Sequence, residues 1–147
     1  MRVCCQEFES LLGNLNIKNM DSISNMIIMM KNGSLAKNEI VVLPYSNLKS
    51  AILSCLKKEG YISDFSKKVK KGGNALEIKL SYVDGKPRIT EVERISKQSR
   101  RVYIGMKDIH SIRNGTGMLV LSTPKGILSG KEARKEQVGG EALFKIW

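Results

Sequence analysis

Histidine occurs once in this chain, cysteine and proline three times each, and aromatic residues make up only 5%. With His110 alone, no Cys/His metal site of the usual kind can be assembled. Cys4, Cys5 and Cys55 form an odd set. The adjacent pair lacks the spacing of a zinc knuckle, and nothing suggests a disulfide framework, so the expected setting is reducing and cytoplasmic. No apolar run approaches a membrane span, and the N-terminus lacks the basic start, apolar middle and small-residue cleavage site of a secretory signal. Acidic residues are scarce as well: 14 against 25 basic ones.

The charge balance is the first positive signal. The net charge is +11 with a pI near 9.7. Residues 94–147 hold eleven basic and four acidic side chains, residues 20–93 twelve and eight, and residues 1–19 two of each. A positive field concentrated in the last third is the footprint of a polyphosphate partner, with plain solubility as the alternative. Hydrophobic residues at 41% exclude a disordered chain. At 147 residues about two-thirds of the unfolded surface can be buried without a disulfide staple.

Residues 1–19 allow two readings. Phe8, Leu11, Leu12 and Leu15 follow helical spacing, but Gly13, Asn14, Asn16 and Asn19 weaken it. The favoured expectation is an appended tail, or a start codon placed too far upstream. From there Asp21 is a good N-cap for a helix with Ile23, Met26, Ile27 and Met30 on one face, predicted to end near Asn32-Gly33. A strand from Glu39 to Leu43 stops at Pro44. Ser46 can cap a second helix with a Leu48, Ile52, Cys55, Leu56 stripe, closed by Glu59-Gly60. Tyr61 to Phe65 reads as a strand, Lys67 to Gly73 as a basic, solvated hairpin loop, and Leu76, Ile78, Leu80 and Tyr82 as a half-buried strand.

Asp84-Gly85 is a tight turn. Pro87 opens an extended run from Ile89 to Ile95, Lys97 to Arg101 form a basic turn, and residues 107–112 hold a helical turn. Met118 to Leu121 is an apolar strand. Ser129 and Glu132 form a capping-box pattern for a brief helix over 130–137, and Ala142, Phe144 and Ile146 alternate in a last strand. The fold class is α+β in two small domains. An N-terminal α-β-α-β-β unit covers 20–83, and a β-rich unit with short helices covers 84–147.

Motifs for catalysis are imitated without being met. Gly126 to Glu132 resembles a phosphate loop but is one residue short and lacks the hydroxyl after Lys131. Gly115-Thr116-Gly117 runs into a strand rather than a helix. Glu91 and Glu93 share a strand face with no sign of a raised pKa. Ser122 lacks a nucleophile elbow. The expectation is a binding protein without enzymatic activity, cofactor or metal.

The stretch from Gly117 to Gly126 carries more. An apolar strand delivers Ser122, Thr123, Pro124, Lys125 and Gly126 to the rim of a sheet. Val138-Gly139-Gly140-Glu141 then supplies a carboxylate beside it. Taken with Asp21 to Met26, Pro44-Tyr45-Ser46, Leu56 to Ile62, Arg94 to Lys97, Arg101 to Tyr103 and Glu132-Ala133-Arg134, this order of pieces resembles the bacterial small-subunit ribosomal protein number eight family over residues 20–147.

The resemblance implies a protein of the small ribosomal subunit, located in the cytoplasm on the ribosome. It implies direct binding to the central domain of 16S rRNA, assembly of the subunit platform and contact with neighbouring small-subunit ribosomal proteins. Some members of the family also bind their own messenger RNA. A free-standing RNA-binding regulator of messenger RNA is therefore the alternative function.

By the same resemblance Ser122, Thr123, Lys125 and Gly126 are the main rRNA contacts. Folded RNA is read by shape, 2′-hydroxyls and unpaired bases, which suits paired hydroxyls, a cation and a close backbone. Glu141 would accept from base amino groups or orient a cation. Tyr103 would stack a base or sit half-buried in its strand. Arg94, Lys97, Arg100 and Arg101 would track phosphates, and Lys31 and Asn32 would be secondary contacts. Two positions depart from the family pattern: Gln98-Ser99 replaces Pro-Gly after Lys97, implying a looser or differently shaped turn, and Asn47 replaces a lysine, leaving Lys49 as the nearest charge.

Overall fold

A computed structural model describes residues 21–70 and 73–147. The helix and tail readings of residues 1–19 lie outside these. The first element, α1 (Ser22–Leu35), starts where Asp21 accepts a hydrogen bond from the Ile23 N–H at 3.2 Å. It buries Ile23, Met26, Ile27 and Met30. It does not stop at Gly33. A Cβ there would lie 2.6 Å from Val41 Cγ2, so this glycine lets the helix lie close on the sheet and is no terminator.

Strand β1 (Ile40–Pro44) turns Val41 and Leu43 inward. Helix α2 (Asn47–Lys58) follows Ser46, which holds the N-cap position but makes no side-chain capping bond. Its buried face is Lys49, Ile52, Leu53, Cys55 and Leu56, while Leu48 is exposed. The predicted stripe holds at Ile52, Cys55 and Leu56, with Leu53 added and Lys49 taking the place expected for Leu48. The Lys49 ammonium donates to the Pro44 carbonyl at 3.3 Å, and desolvation lowers its pKa. Gly60, at φ +77°, closes the helix.

Strands β2 (Ile62–Lys70) and β3 (Gly73–Leu80) form a long hairpin, and the first sheet has the antiparallel order β1-β3-β2. The lysine-rich stretch expected as a loop is therefore largely strand: Lys67, Lys68 and Lys70 pair in register with Leu76, Ala75 and Gly73. Lys67 lies over the Tyr45 ring at 4.3 Å and Lys68 pairs with Glu77 at 2.7 Å. Both helices contribute to the core that covers one face of this sheet.

A short hairpin, β4 (Tyr82–Val83) and β5 (Lys86–Pro87), turns through Asp84 and Gly85, both left-handed at φ 50° and 73°, as a two-residue hairpin turn requires. The second sheet follows. Its path is β6 (Val92–Arg94), β10 (Gly140–Ile146), β8 (Met118–Thr123) and β9 (Gly126–Ser129), with β7 (Tyr103–Ile104) pairing beside the start of β10. Of the extended run expected over Ile89 to Ile95, only β6 forms a strand. Two 3-10 turns, Met106–Asp108 and Arg113–Gly115, precede β8. Helix α3 (Gly130–Lys135) begins with the full reciprocal capping box of Ser129 and Glu132.

The architecture is an N-terminal α/β unit followed by a β-rich unit. The larger apolar cluster contains Ile52 and Ile78 of the first and Val120, Phe144 and Ile146 of the second. A smaller cluster of Ile109, Leu119, Leu121, Ala133 and Ala142 fills the other face of the second sheet. Polar ties also cross between the halves. Arg94 donates to Asp21 at 2.8 Å and the Tyr61 hydroxyl to the Thr116 carbonyl at 2.8 Å. Lys58 faces Glu132 at 3.5 Å.

Candidate nucleic-acid interface

Antiparallel register assembles the site. Tyr103 on β7 lies opposite Glu141 on β10, Glu141 opposite Ser122 on β8, and Ser122 opposite Ile127 on β9. Directly opposed residues share a face of the sheet. Three residues far apart in the chain thus form one row at the sheet's end, with the Tyr103 side of the row 74% exposed.

Two glycines permit this row. A Cβ on Gly139 would lie 2.7 Å from the Ile104 carbonyl oxygen, and one on Gly140 would run into the Ser122 carbonyl. Both obstacles are backbone, which cannot swing away, so β10 approaches β7 and β8 this closely only without side chains at these positions.

Glu141 is the row's organiser. Its Oε1 accepts from the buried Ser96 hydroxyl and from Arg101 at 2.8 Å. Partial burial raises the Glu141 carboxyl, but the Ser96 hydrogen bond and the Arg101 guanidinium outweigh it and hold the pKa below the ordinary glutamate range. Ser96 in turn accepts from the Val102 N–H at 3.4 Å, while its own N–H reaches the Ala142 carbonyl at 3.2 Å. The basic turn is thereby fastened beside the row. Lys97 and Arg100 bond each other's backbone reciprocally, at 2.9 and 3.2 Å, across Gln98 and Ser99. The turn is closed without the Pro-Gly pair, and the side chains of Lys97, Arg100 and Arg101 are exposed.

The two hydroxyls read together in sequence part company. Ser122 is half-buried on the face of Glu141 and Tyr103. Thr123 points to the opposite face, is 8% exposed, and donates its hydroxyl to the Gly126 carbonyl at 2.9 Å. That bond closes the turn through Pro124 and Lys125, with Gly126 left-handed at φ +120°. Lys125 extends from the turn and pairs with Glu136 at 2.9 Å, both groups about half exposed.

Other expected contacts lie elsewhere. The Arg94 side chain is 9% exposed and is engaged internally: it donates to Asp21 and, at 2.6 Å, to the Leu143 carbonyl. It ties the N-cap of α1 to the second sheet rather than projecting toward a partner. Lys31 meets Glu91 at 3.4 Å, and Asn32 is exposed next to it. Glu91 pairs with the backbone of Trp147, just past the far end of β10, so these two do not join the row. Sequence reasoning passed over Ser96. A lone serine in a polar segment carries no signal of burial; only the carboxylate opposite it gives it a task.

Known proteins resemble this chain over both structural units. The family model described as ribosomal protein S8 matches residues 21–147. The small ribosomal subunit protein uS8 of Rhizorhabdus wittichii is 41% identical over 127 residues, covering 86% of this chain and 97% of that protein. The uS8 proteins of Oleidesulfovibrio alaskensis and Afipia carboxidovorans are each 44% identical, covering 86% of this chain and 98% and 97% of their own lengths. With the match running from the α1 cap through both sheets to the last residue, the chain belongs to the ribosomal protein S8 family.

Proposed function

We propose that this protein is a structural constituent of the small ribosomal subunit that binds the central domain of 16S rRNA and helps assemble the subunit platform. The observation that carries the reading is the row Tyr103–Glu141–Ser122, flanked by Lys97, Arg100 and Arg101 on one side and the Lys125 turn on the other.

Each group has a chemical task. The exposed Tyr103 ring offers a stacking face to an unpaired base. Ser122 can donate to a phosphate and accept from a 2′-hydroxyl. Gly126 lets the backbone approach RNA, and Thr123 holds that turn in shape. Lys97, Arg100, Arg101 and Lys125 neutralise phosphates, and fork geometry suits the arginines to bidentate contacts. Glu141 contributes by aiming Arg101 and anchoring Ser96, which resolves the electrostatic oddity of a carboxylate near RNA. Arg94 supports the interface from behind. Lys31 and Asn32 would serve a separate, secondary contact. Neighbouring small-subunit ribosomal proteins are the expected protein partners.

The role is one of shape and charge complementarity rather than catalysis. Filter binding of the full chain to a central-domain rRNA fragment tests it, together with sedimentation of cell extract. Retention of the fragment and migration with small subunits are expected. Migration apart from subunits with messenger RNA attached would favour a free-standing regulator instead, and failure to retain rRNA would overturn the reading.

A further inference from the structure

At the far end of β10 lies a second, unrelated cleft. It has a volume of about 420 Å³ and is lined by Lys86, Arg88, Thr90, Arg113, Thr116 and Trp147, with Asp84 as the one acidic side chain in the lining. Two of its cations rest on aromatic faces. The Arg88 guanidinium lies 5.4 Å from the Tyr61 ring centre and that of Arg113 4.6 Å from Trp147. Among the described residues neither arginine pairs with a carboxylate. Stacking fixes the plane of a guanidinium and leaves its in-plane N–H donors open, the arrangement that suits a phosphate.

The backbone supports the same reading. Arg113 and Asn114 both adopt left-handed conformations, at φ 44° and 55°. Such strain in residues with a Cβ persists where the surroundings hold it, and it gathers at binding sites. Here it places Arg113 on the indole. Tyr61 is fixed in turn by its hydroxyl's bond to the Thr116 carbonyl at 2.8 Å. The cleft is therefore held by both structural units.

We propose that this cleft is a second RNA-backbone site, taking a phosphate from a segment of rRNA other than the one on the Ser122 surface. The inference rests on the rRNA-binding reading above. Trp147 follows Glu141 by six residues of mostly extended chain, so the two sites stand roughly 20 Å apart at about 3.3 Å per residue. That is wide enough for one rigid strand to hold two RNA segments at a set separation, which is how a protein of this size would organise a folded RNA.

Trp147 is the only tryptophan in the chain, so its fluorescence reports on this end of the molecule and not on the Ser122 surface. Acrylamide quenching of its fluorescence is measured with and without a saturating small-subunit rRNA fragment, while filter retention confirms binding. The expected result is at least a twofold fall in quenching when RNA is bound. In parallel, Arg88→Gln with Arg113→Gln keeps much of the stem packing and removes the charges. It should lower the slope of log K against log salt by about one unit, the value for one phosphate contact. Retained RNA with unchanged quenching and an unchanged slope overturns the cleft and leaves the Ser122 surface standing. If the wild-type chain retains no RNA, both readings fall. Should the double variant not fold by circular dichroism, quenching of the wild-type chain decides.

Discussion

Glu141→Gln separates two opposite accounts of a carboxylate in an RNA-binding surface. In the structure Glu141 joins the buried Ser96 hydroxyl to the exposed Arg101 guanidinium. A hydrogen bond to a charged group contributes about 1.5–3 kcal/mol and a neutral one about 1 kcal/mol. Glutamine keeps an acceptor for Ser96 but not the charge, so folding stability should fall by about 1–1.5 kcal/mol, close to tenfold in the folded-to-unfolded ratio. The exposed Arg101 pair adds little to that sum.

Its effect is positional. Without the carboxylate, Arg101 loses the partner that holds it beside the row, and affinity for rRNA should drop several-fold even though the protein has lost a negative charge. Urea unfolding and filter binding at several salt concentrations read both quantities. Tighter RNA binding at unchanged stability would refute the reasoning, because it would mean that Glu141 only repels the phosphates. The pH dependence has a definite sign. The folded pKa of Glu141 is depressed, so its contribution is complete above the ordinary value of 4.5 and is lost as pH falls through the lower folded value. The stability gap between wild type and Glu141→Gln should therefore close on acidification.

Four further outcomes are expected. Ser122→Ala should weaken rRNA binding without changing the unfolding midpoint. Thr123→Val should lower stability by about 1 kcal/mol through loss of its bond to Gly126, and the reverse pattern in paired titrations would exchange their roles. Gly140→Ala should cost about 1–3 kcal/mol in urea unfolding, since the added Cβ meets the backbone of Ser122 and Thr123 at 2.9 and 3.1 Å; wild-type stability would show that β8 and β10 can separate freely. Arg94→Ala should destabilise by about 2–3 kcal/mol, because it abandons the Asp21 carboxylate and the Leu143 carbonyl, yet leave the salt slope of rRNA binding intact. A slope lower by one unit would return Arg94 to the surface.

Much of this protein was already written in local pattern. The α1 cap and stripe, the Asp84-Gly85 turn and the Ser129–Glu132 capping box depend on residues within a turn or two of each other, and all stand in the structure. The alternation expected in the last strand does not run through: a bulge between Ala142 and Phe144 puts Ala142 in the smaller cluster and Leu143, Phe144 and Ile146 in the larger. The hydroxyl–cation loop, the Gly-Gly-Glu segment and the basic last third were likewise readable. Local pattern misled where two neighbours could serve one position. Leu48 and Lys49 are adjacent on α2, and Lys49 turned inward because the Pro44 carbonyl offered its ammonium a partner. Gly33 had the look of a stop until Val41 proved to pack against it.

Pairing across distance belonged to the tertiary structure alone. Periodicity says which residues share a face of their own strand, but not which strand lies beside it. The alignment of Tyr103, Glu141 and Ser122 and the internal engagement of Arg94 follow from register between segments distant in the chain. That register is chosen by which apolar faces can be buried together, a condition satisfied by the whole fold and visible in none of its pieces.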